Sequence, residues 1–320
     1  MIKKVKGVTV LVTGAEGFIG SHLVAALCKA GARVHAIVYP GVSLWRLKGF
    51  KGRIDIYPLD LRDGKKISQT LLKVRPVKVY HLAANNNHER GINLLDKVFF
   101  NNFSGTLNLL RSCLQLDLDC FINTGTCEEY GTQRVPFKES QRECPVSAYS
   151  LSKVCNTYSC SLFHRIYGLP IVTLRPFLVY GPAQDPGMLI PALIMACLRG
   201  KEFKMTPGEQ TREFNYVDDI VEGYLKASVA QPAIGEVINL GNGKEYRMLT
   251  VARMIQRLTC GKARLKIGAL PYRPGESMHF YSDSNKAARI LKWRSKTALE
   301  EGLRKTIAWY KENLHEIKYK

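Results

Sequence analysis

The chain has 320 residues, 46% hydrophobic and 23% charged, a composition that suits one large or two small globular domains and excludes a disordered or fibrous protein. No apolar run approaches the roughly 20 residues of a membrane-crossing helix, so no membrane association is expected. The formal net charge is +20, yet the basic residues form no long run or RGG tract. That favours polyanionic small ligands, or a plain solvated basic surface, over a nucleic-acid partner.

The N-terminus opens with lysines like a signal peptide, but its apolar stretch is short and runs into a glycine loop instead of a small-residue cleavage site. Val8–Val12 therefore reads as a first strand and Ser21–Ala30 as a helix stopped by Gly31. Strands follow at Val34–Val38, Ile54–Tyr57 and Val77–Ala83, then a helix around Phe103–Leu114 and a strand at Cys120–Thr124. A long helix, Ala148–Tyr167, ends at Gly168, and a strand over Ile171–Tyr180 closes on Gly181-Pro182. Strands alternating with helices mark βαβ units, so the fold class is α/β, a Rossmann-type doubly wound parallel sheet. Residues 186–212 and 243–320 mix short helices with Pro/Gly punctuation, which suits a smaller C-terminal substrate-binding lobe. The expected division is a dinucleotide-binding domain over residues 1–180, rejoined by 213–242, and a lobe made of 181–212 and 243–320. Nine cysteines with no CxxC fit a reducing cytoplasm better than a secreted disulfide scaffold, and no metal site is expected.

Gly14, Gly17 and Gly20 lie three apart between the first strand and the first helix. A tight turn whose backbone approaches a pyrophosphate needs residues without Cβ. The helix that follows offers its N–H groups and positive dipole end to the phosphates. The context points to a bound dinucleotide. An acidic residue ending the second strand would select NAD. Here Val38-Tyr39-Pro40 stands in its place, and Arg46 and Lys48 could meet a 2′-phosphate, so NAD and NADP both stay open.

Tyr149 and Lys153 are four apart on the long helix and share one face. Roughly one such spacing is expected by chance in a chain with this many tyrosines and lysines, so position carries the signal: the pair follows directly on the fifth strand. A phenol is a poor base at neutral pH. A neighbouring ammonium and the positive nicotinamide would favour phenolate, letting Tyr149 take a proton from a hydroxyl while hydride leaves the same carbon.

With these motifs in order, the chain resembles the extended short-chain dehydrogenase/reductase family, specifically its NAD-dependent sugar-nucleotide epimerases and dehydratases. The likeness covers almost the whole chain. Gly14, Gly17, Phe18, Ile19 and Gly20 match the opening loop, and Asp60-Leu61 the adenine-binding step. Ala83, Ala84 and Asn102 match segments lining the cofactor, and Pro176 and Val179 belong to the stretch that passes the nicotinamide. The resemblance implies that Thr126 hydrogen-bonds the reacting hydroxyl, that Tyr149 is the acid/base, and that Lys153 lowers its pKa and binds the nicotinamide ribose. It implies further that Arg212 and Arg273 hold the diphosphate of a nucleoside-diphosphate sugar. Family members commonly pair as homodimers through the two helices near 103–114 and 148–167, and Val154, Leu162 and Ile166 are compatible with that.

Two departures bear on the reaction. Many 4,6-dehydratases follow the Thr with Asp-Glu, where this chain has Cys127-Glu128. Glu128 could serve as a base, and Cys127 either as a proton donor or as a packing residue. Leu178 replaces an Asn that contacts the diphosphate in many members. Epimerisation at the sugar C4 is the least demanding reading, followed by 4,6-dehydration, NADPH-dependent 4-ketoreduction and decarboxylation. A dinucleotide- or RNA-binding protein without catalysis is the reading from a different class, disfavoured because the Tyr/Lys pair is kept.

Overall fold

The computed structural model describes residues 5–87, 94–261, 263–273 and 275–315. In the first half β1 (Thr9–Thr13) is followed by α1 (Phe18–Lys29), β2 (Arg33–Val38), β3 (Asp55–Pro58), α2 (Gly64–Val74) and β4 (Lys78–His81). Then come α3 (Asn101–Cys113), β5 (Cys120–Thr124), α4 (Ala148–Tyr167), β6 (Ile171–Pro176) and β7 (Val179–Tyr180). The remainder holds α5 (Leu189–Arg199), β8 (Phe203–Lys204), β9 (Thr211–Glu213), β10 (Asn215–Tyr216), α6 (Val217–Ala227) and β11 (Val237–Leu240). It ends with β12 (Glu245–Arg247), α7 (Met248–Thr259), β13 (Leu265–Lys266), α8 (Asn285–Ile290) and α9 (Leu299–Glu312).

Seven strands form one parallel sheet in the order β11-β6-β5-β4-β1-β2-β3. Because the strands alternate their side chains between faces, Val10 and Val12 join a core with Leu23, Val24 and Leu27 of α1 and Ile220 and Tyr224 of α6. Leu11, Val79 and Phe121 point the other way, onto Ile67 and Leu71 of α2, Leu109 of α3 and Phe163 of α4. Helices on both faces of a parallel sheet make this a Rossmann-type doubly wound α/β fold. The order reverses between β1 and β4, which opens a crevice at the carboxyl ends of those strands. A separate core, built from Leu193 and Ile194 of α5, Val251 and Ile255 of α7, and Leu303 and Ile307 of α9, stands beyond β7 and β10. No helix among the described residues is long and apolar enough to cross a membrane.

Three local expectations shift. The first helix begins at Phe18, not Ser21, because Gly17 takes an extended conformation and serves as its N-cap. The strand expected over 171–180 stops at Pro176, which has no N–H to continue a ladder; β7 then pairs with β10 instead of the main sheet. Helix α2 was not anticipated, although Ile67 and Leu71 are buried by it and Val74 packs beside them.

Candidate active site

The glycine loop is moulded by the crossing of β1 and β4. Gly14 sits at φ +68°, and a Cβ there would lie 2.7 Å from the Ala83 amide nitrogen. A Cβ on Gly20 would collide with the Gly14 carbonyl oxygen. The loop therefore lies against the end of β4, and α1 starts from Gly17 with no side chain capping its first turn and no acidic residue in it. Such an end attracts an anion, so the cradle fits a dinucleotide pyrophosphate. Phe18 and Ile19 are the first residues of that helix and pack against the α1-side core.

Hydrogen bonds between side chains lock the floor of the crevice. The Thr13 hydroxyl pairs with His81 Nδ1 at 2.8 Å and accepts from the Ala83 amide at 3.2 Å, while His81 Nε2 reaches the Thr106 hydroxyl at 2.9 Å. Burial, and then the charge of Lys153, push the His81 pKa down to about 3, so the ring is neutral. The Asn102 carboxamide accepts from the Asn85 amide at 2.7 Å and donates to the Asn85 carbonyl at 3.1 Å and the Ser152 hydroxyl at 2.9 Å. It thereby clips the Ala83-Ala84-Asn85 segment to α4. On the rim, Asp60 is chelated by Arg62, with Oδ2 2.5 Å from Nη2, and this pairing holds its carboxyl below the usual range. Leu61 packs tightly on Gly105 of α3.

Catalytic candidates converge where β5 ends. Thr126 caps a short 3-10 turn, Cys127–Tyr130, accepting from the Glu128 amide at 3.3 Å, while its own amide donates to Glu129 Oε1 at 2.8 Å. Capping therefore proves to be one of its tasks. It leaves the hydroxyl beside the Tyr149 phenol, with which it shares a hydrogen bond. Tyr149 lies in the first turn of α4, whose N-cap Ser147 forms a capping box with Ser150. Lys153, one turn on, is almost fully buried; its Nζ donates to the Thr124 carbonyl at 2.8 Å and lies 5.8 Å from the Tyr149 ring centre.

Burial dominates the electrostatics of this pair. Burial lowers Lys153 to about 8, opposed by Glu129. Burial raises the Tyr149 phenol, and the Glu128 carboxylate raises it further. The ammonium faces a main-chain carbonyl, and burial favours the neutral form of the phenol. The half-buried Glu128 also raises Cys127, but burial is the larger cause there. Cys127 packs with Tyr130, Phe137 and Phe177, and its thiol titrates well above the ordinary value.

Other site candidates are arranged less directly. Pro176 ends β6, Val179 opens β7, and Leu178 packs against the second core with its carbonyl accepting from the Asn215 amide at 2.8 Å. The Arg212 guanidinium is ion-paired with Glu276 and donates to the carbonyls of Thr211 at 2.6 Å and Ser277 at 2.8 Å. Arg273 is exposed, on the same 273–277 turn. Arg46 donates to the carbonyls of Ala183 at 2.8 Å and Glu16 at 3.3 Å and stacks over Trp45.

One group escaped the sequence reading. Glu129 Oε2 accepts from Arg175 Nη2 at 2.7 Å and from the Thr157 hydroxyl at 3.0 Å, and Arg175 also binds Glu143 Oε1 at 2.7 Å. This buried pair holds the Thr126 turn against β6. The available signal was a charged residue inside an otherwise apolar strand, Ile171-Val-Thr-Leu-Arg175.

Comparison with known proteins agrees with this geometry. The family described as GDP-mannose 4,6 dehydratase matches residues 11–306. A UDP-glucuronate 4-epimerase of Thermodesulfobacterium geofontis is 30% identical over 319 residues, 96% of this chain and 98% of that protein. A dTDP-glucose 4,6-dehydratase of Xanthomonas campestris pv. campestris is 30% identical over 330 residues, 95% of this chain and 93% of that protein. The UDP-glucuronic acid 4-epimerase of Bacillus cereus, solved with UDP-glucuronic acid and NAD, superposes with a TM-score of 0.86 at 31% identity, covering 95% of this chain and 99% of its own.

Proposed function

The chain belongs to the GDP-mannose 4,6 dehydratase family, the extended short-chain dehydrogenase/reductase enzymes that rework nucleoside-diphosphate sugars with NAD or NADP, and from that premise we propose that it is a nucleoside-diphosphate-sugar 4-epimerase. The observation that carries epimerisation over dehydration is Cys127. It stands where many 4,6-dehydratases have an aspartic acid, though some carry Cys-Glu, and its thiol is buried among Tyr130, Phe137 and Phe177 with a raised pKa. A thiol packed among three aromatic rings is placed as a core group and not as a proton donor.

When bound, the dinucleotide supplies reversible hydride acceptance from the sugar C4. Gly14, Gly17 and the first turn of α1 would hold its pyrophosphate, with Asp60, Leu61, Ala83, Ala84, Pro176 and Val179 lining the rest of its path. Thr126 orients the 4-hydroxyl towards Tyr149. Tyr149 takes its proton and, once the 4-keto ring has turned over in the site so that hydride would come back to its other face, returns that proton to the same oxygen. Lys153 balances the charge that forms on the phenol, and the amino-terminal end of α4 adds its dipole. No further acid or base is required for inversion at C4. Arg212 and Arg273 line the side on which the substrate diphosphate would lie, the lobe of residues 181–212 and 243–320.

We assign the same chain a homodimeric state, because Tyr158, Leu162 and Ile166 leave an apolar stripe on α4 exposed at 59%, 47% and 65%. All nine cysteines are free thiols, which supports a reducing cytoplasm.

Incubation with UDP-, GDP-, dTDP- and CDP-sugars, followed by mass spectrometry and NMR, tests the assignment. The expected product has unchanged mass and inverted configuration at C4. Loss of water would establish the second reading, a 4,6-dehydratase using Glu128, which that carboxylate's position beside Tyr149 favours.

A further inference from the structure

No acidic residue ends β2, the usual source of the carboxylate that grips an adenosine ribose. The structure supplies one from elsewhere. Glu16, in the middle of the glycine loop, extends towards the carboxyl end of β2, where its Oε1 accepts from the Tyr39 main-chain amide at 2.9 Å. Tyr39 is the first residue past that strand. The other oxygen, Oε2, is buried and has no hydrogen-bond partner among the described residues. A carboxylate has about four acceptor positions, so the group retains capacity for an incoming hydroxyl.

The neighbouring cations offset this charge only in part: Arg46 attracts the Glu16 carboxylate without hydrogen-bonding it. Arg46 directs its donors at the carbonyls of Ala183 and Glu16. Arg62 is chelated by Asp60. Lys97 is exposed on a cleft of about 630 Å³ with Tyr39, Arg62, Asp96 and Phe100, and its own neighbour in sequence is an acid.

We propose that Glu16, acting from the glycine loop, accepts the hydroxyls of the adenosine ribose and makes the site select NAD over NADP. A 2′-phosphate would place close to two negative charges against an anion already anchored on the backbone. This inference depends on the dinucleotide-dependent reading above.

The experiment is calorimetric titration of cofactor-stripped protein with NAD+ and with NADP+, which reads binding and not turnover. The wild-type protein is expected to bind NAD+ on the order of a hundredfold more tightly. Glu16→Gln, nearly the same shape, is expected to shrink that ratio by on the order of tenfold or more, as loss of one charged hydrogen bond and its repulsion implies. Lys97→Ala is expected to leave the ratio unchanged. Equal wild-type affinities, an unchanged ratio in Glu16→Gln, or a collapse in Lys97→Ala would each overturn the assignment of selectivity to Glu16. Failure of the wild-type protein to bind either dinucleotide would instead bring down the enzymatic reading, and this inference with it.

Discussion

Around Gly14 the protein builds its site from main chain; around Thr126 it builds from side chains. The glycine loop works because nothing projects from it: β4 passes so close that Gly14 has no room for a Cβ, and α1 begins uncapped. The Thr126 turn works because it is tied from four directions, by Glu129, Arg175, Thr157 and Glu143. A backbone site depends on spacing along one short segment. A side-chain site depends on partners that meet only after folding, here residues 129, 143 and 175.

Substitutions at the two ends should therefore fail in different ways. The largest effect belongs to the side-chain end. Tyr149→Phe should lower kcat by about 10³-fold or more while dinucleotide binding persists, since only the proton-transferring oxygen is lost; near-normal turnover would contradict its role. Glu129→Gln leaves Arg175 with a weakened buried partner, and should cost about 3 kcal/mol in denaturant unfolding and lower kcat through a displaced Thr126. Gly14→Ala breaks the backbone end. It should cost about 1–3 kcal/mol from strain at φ +68° and weaken dinucleotide affinity with less effect on kcat at saturating cofactor.

Acidity probes the floor between the two ends. The folded state keeps His81 neutral down to about pH 3, whereas the unfolded chain protonates it near its ordinary 6.5. The unfolded state thus binds the extra proton in that window, and stability falls as the pH drops below about 6.5. The loss from this residue should reach about 2 kcal/mol at pH 5, seen as a fall in Tm that His81→Asn flattens. Cys127→Ser should be the mildest change for catalysis, altering kcat less than about threefold, because the thiol packs and does not donate. A large loss confined to water elimination would make it an acid after all.

This contrast also explains what could be read before the structure was known. The Gly14–Gly20 spacing and the Tyr149/Lys153 pair are local, and local patterns survive in the order of residues. Thr126 was placed correctly at a strand end, but Glu129 was missed because its partner Arg175 is 46 positions away. Likewise the tie between Arg212 and Glu276 spans 64 positions and leaves no periodic trace. The contact of the Lys153 ammonium with the Thr124 carbonyl, 29 positions away, also left no trace in the sequence. Helix α2 was passed over although Ile67, Leu71 and Val74 recur at helical spacing, because they stand among lysines and polar residues between two strands.

Strand β11 closes the sheet against β6, yet about 60 residues of chain separate the two in synthesis order. While the protein emerges from a ribosome, Ile171–Pro176 is an open, mostly apolar ladder with nothing on its outer side. Bare strand edges are templates for wrong pairing between chains. The yield of correctly folded protein should therefore depend on how long that edge waits, and on chaperones that cover it before Val237–Leu240 arrives.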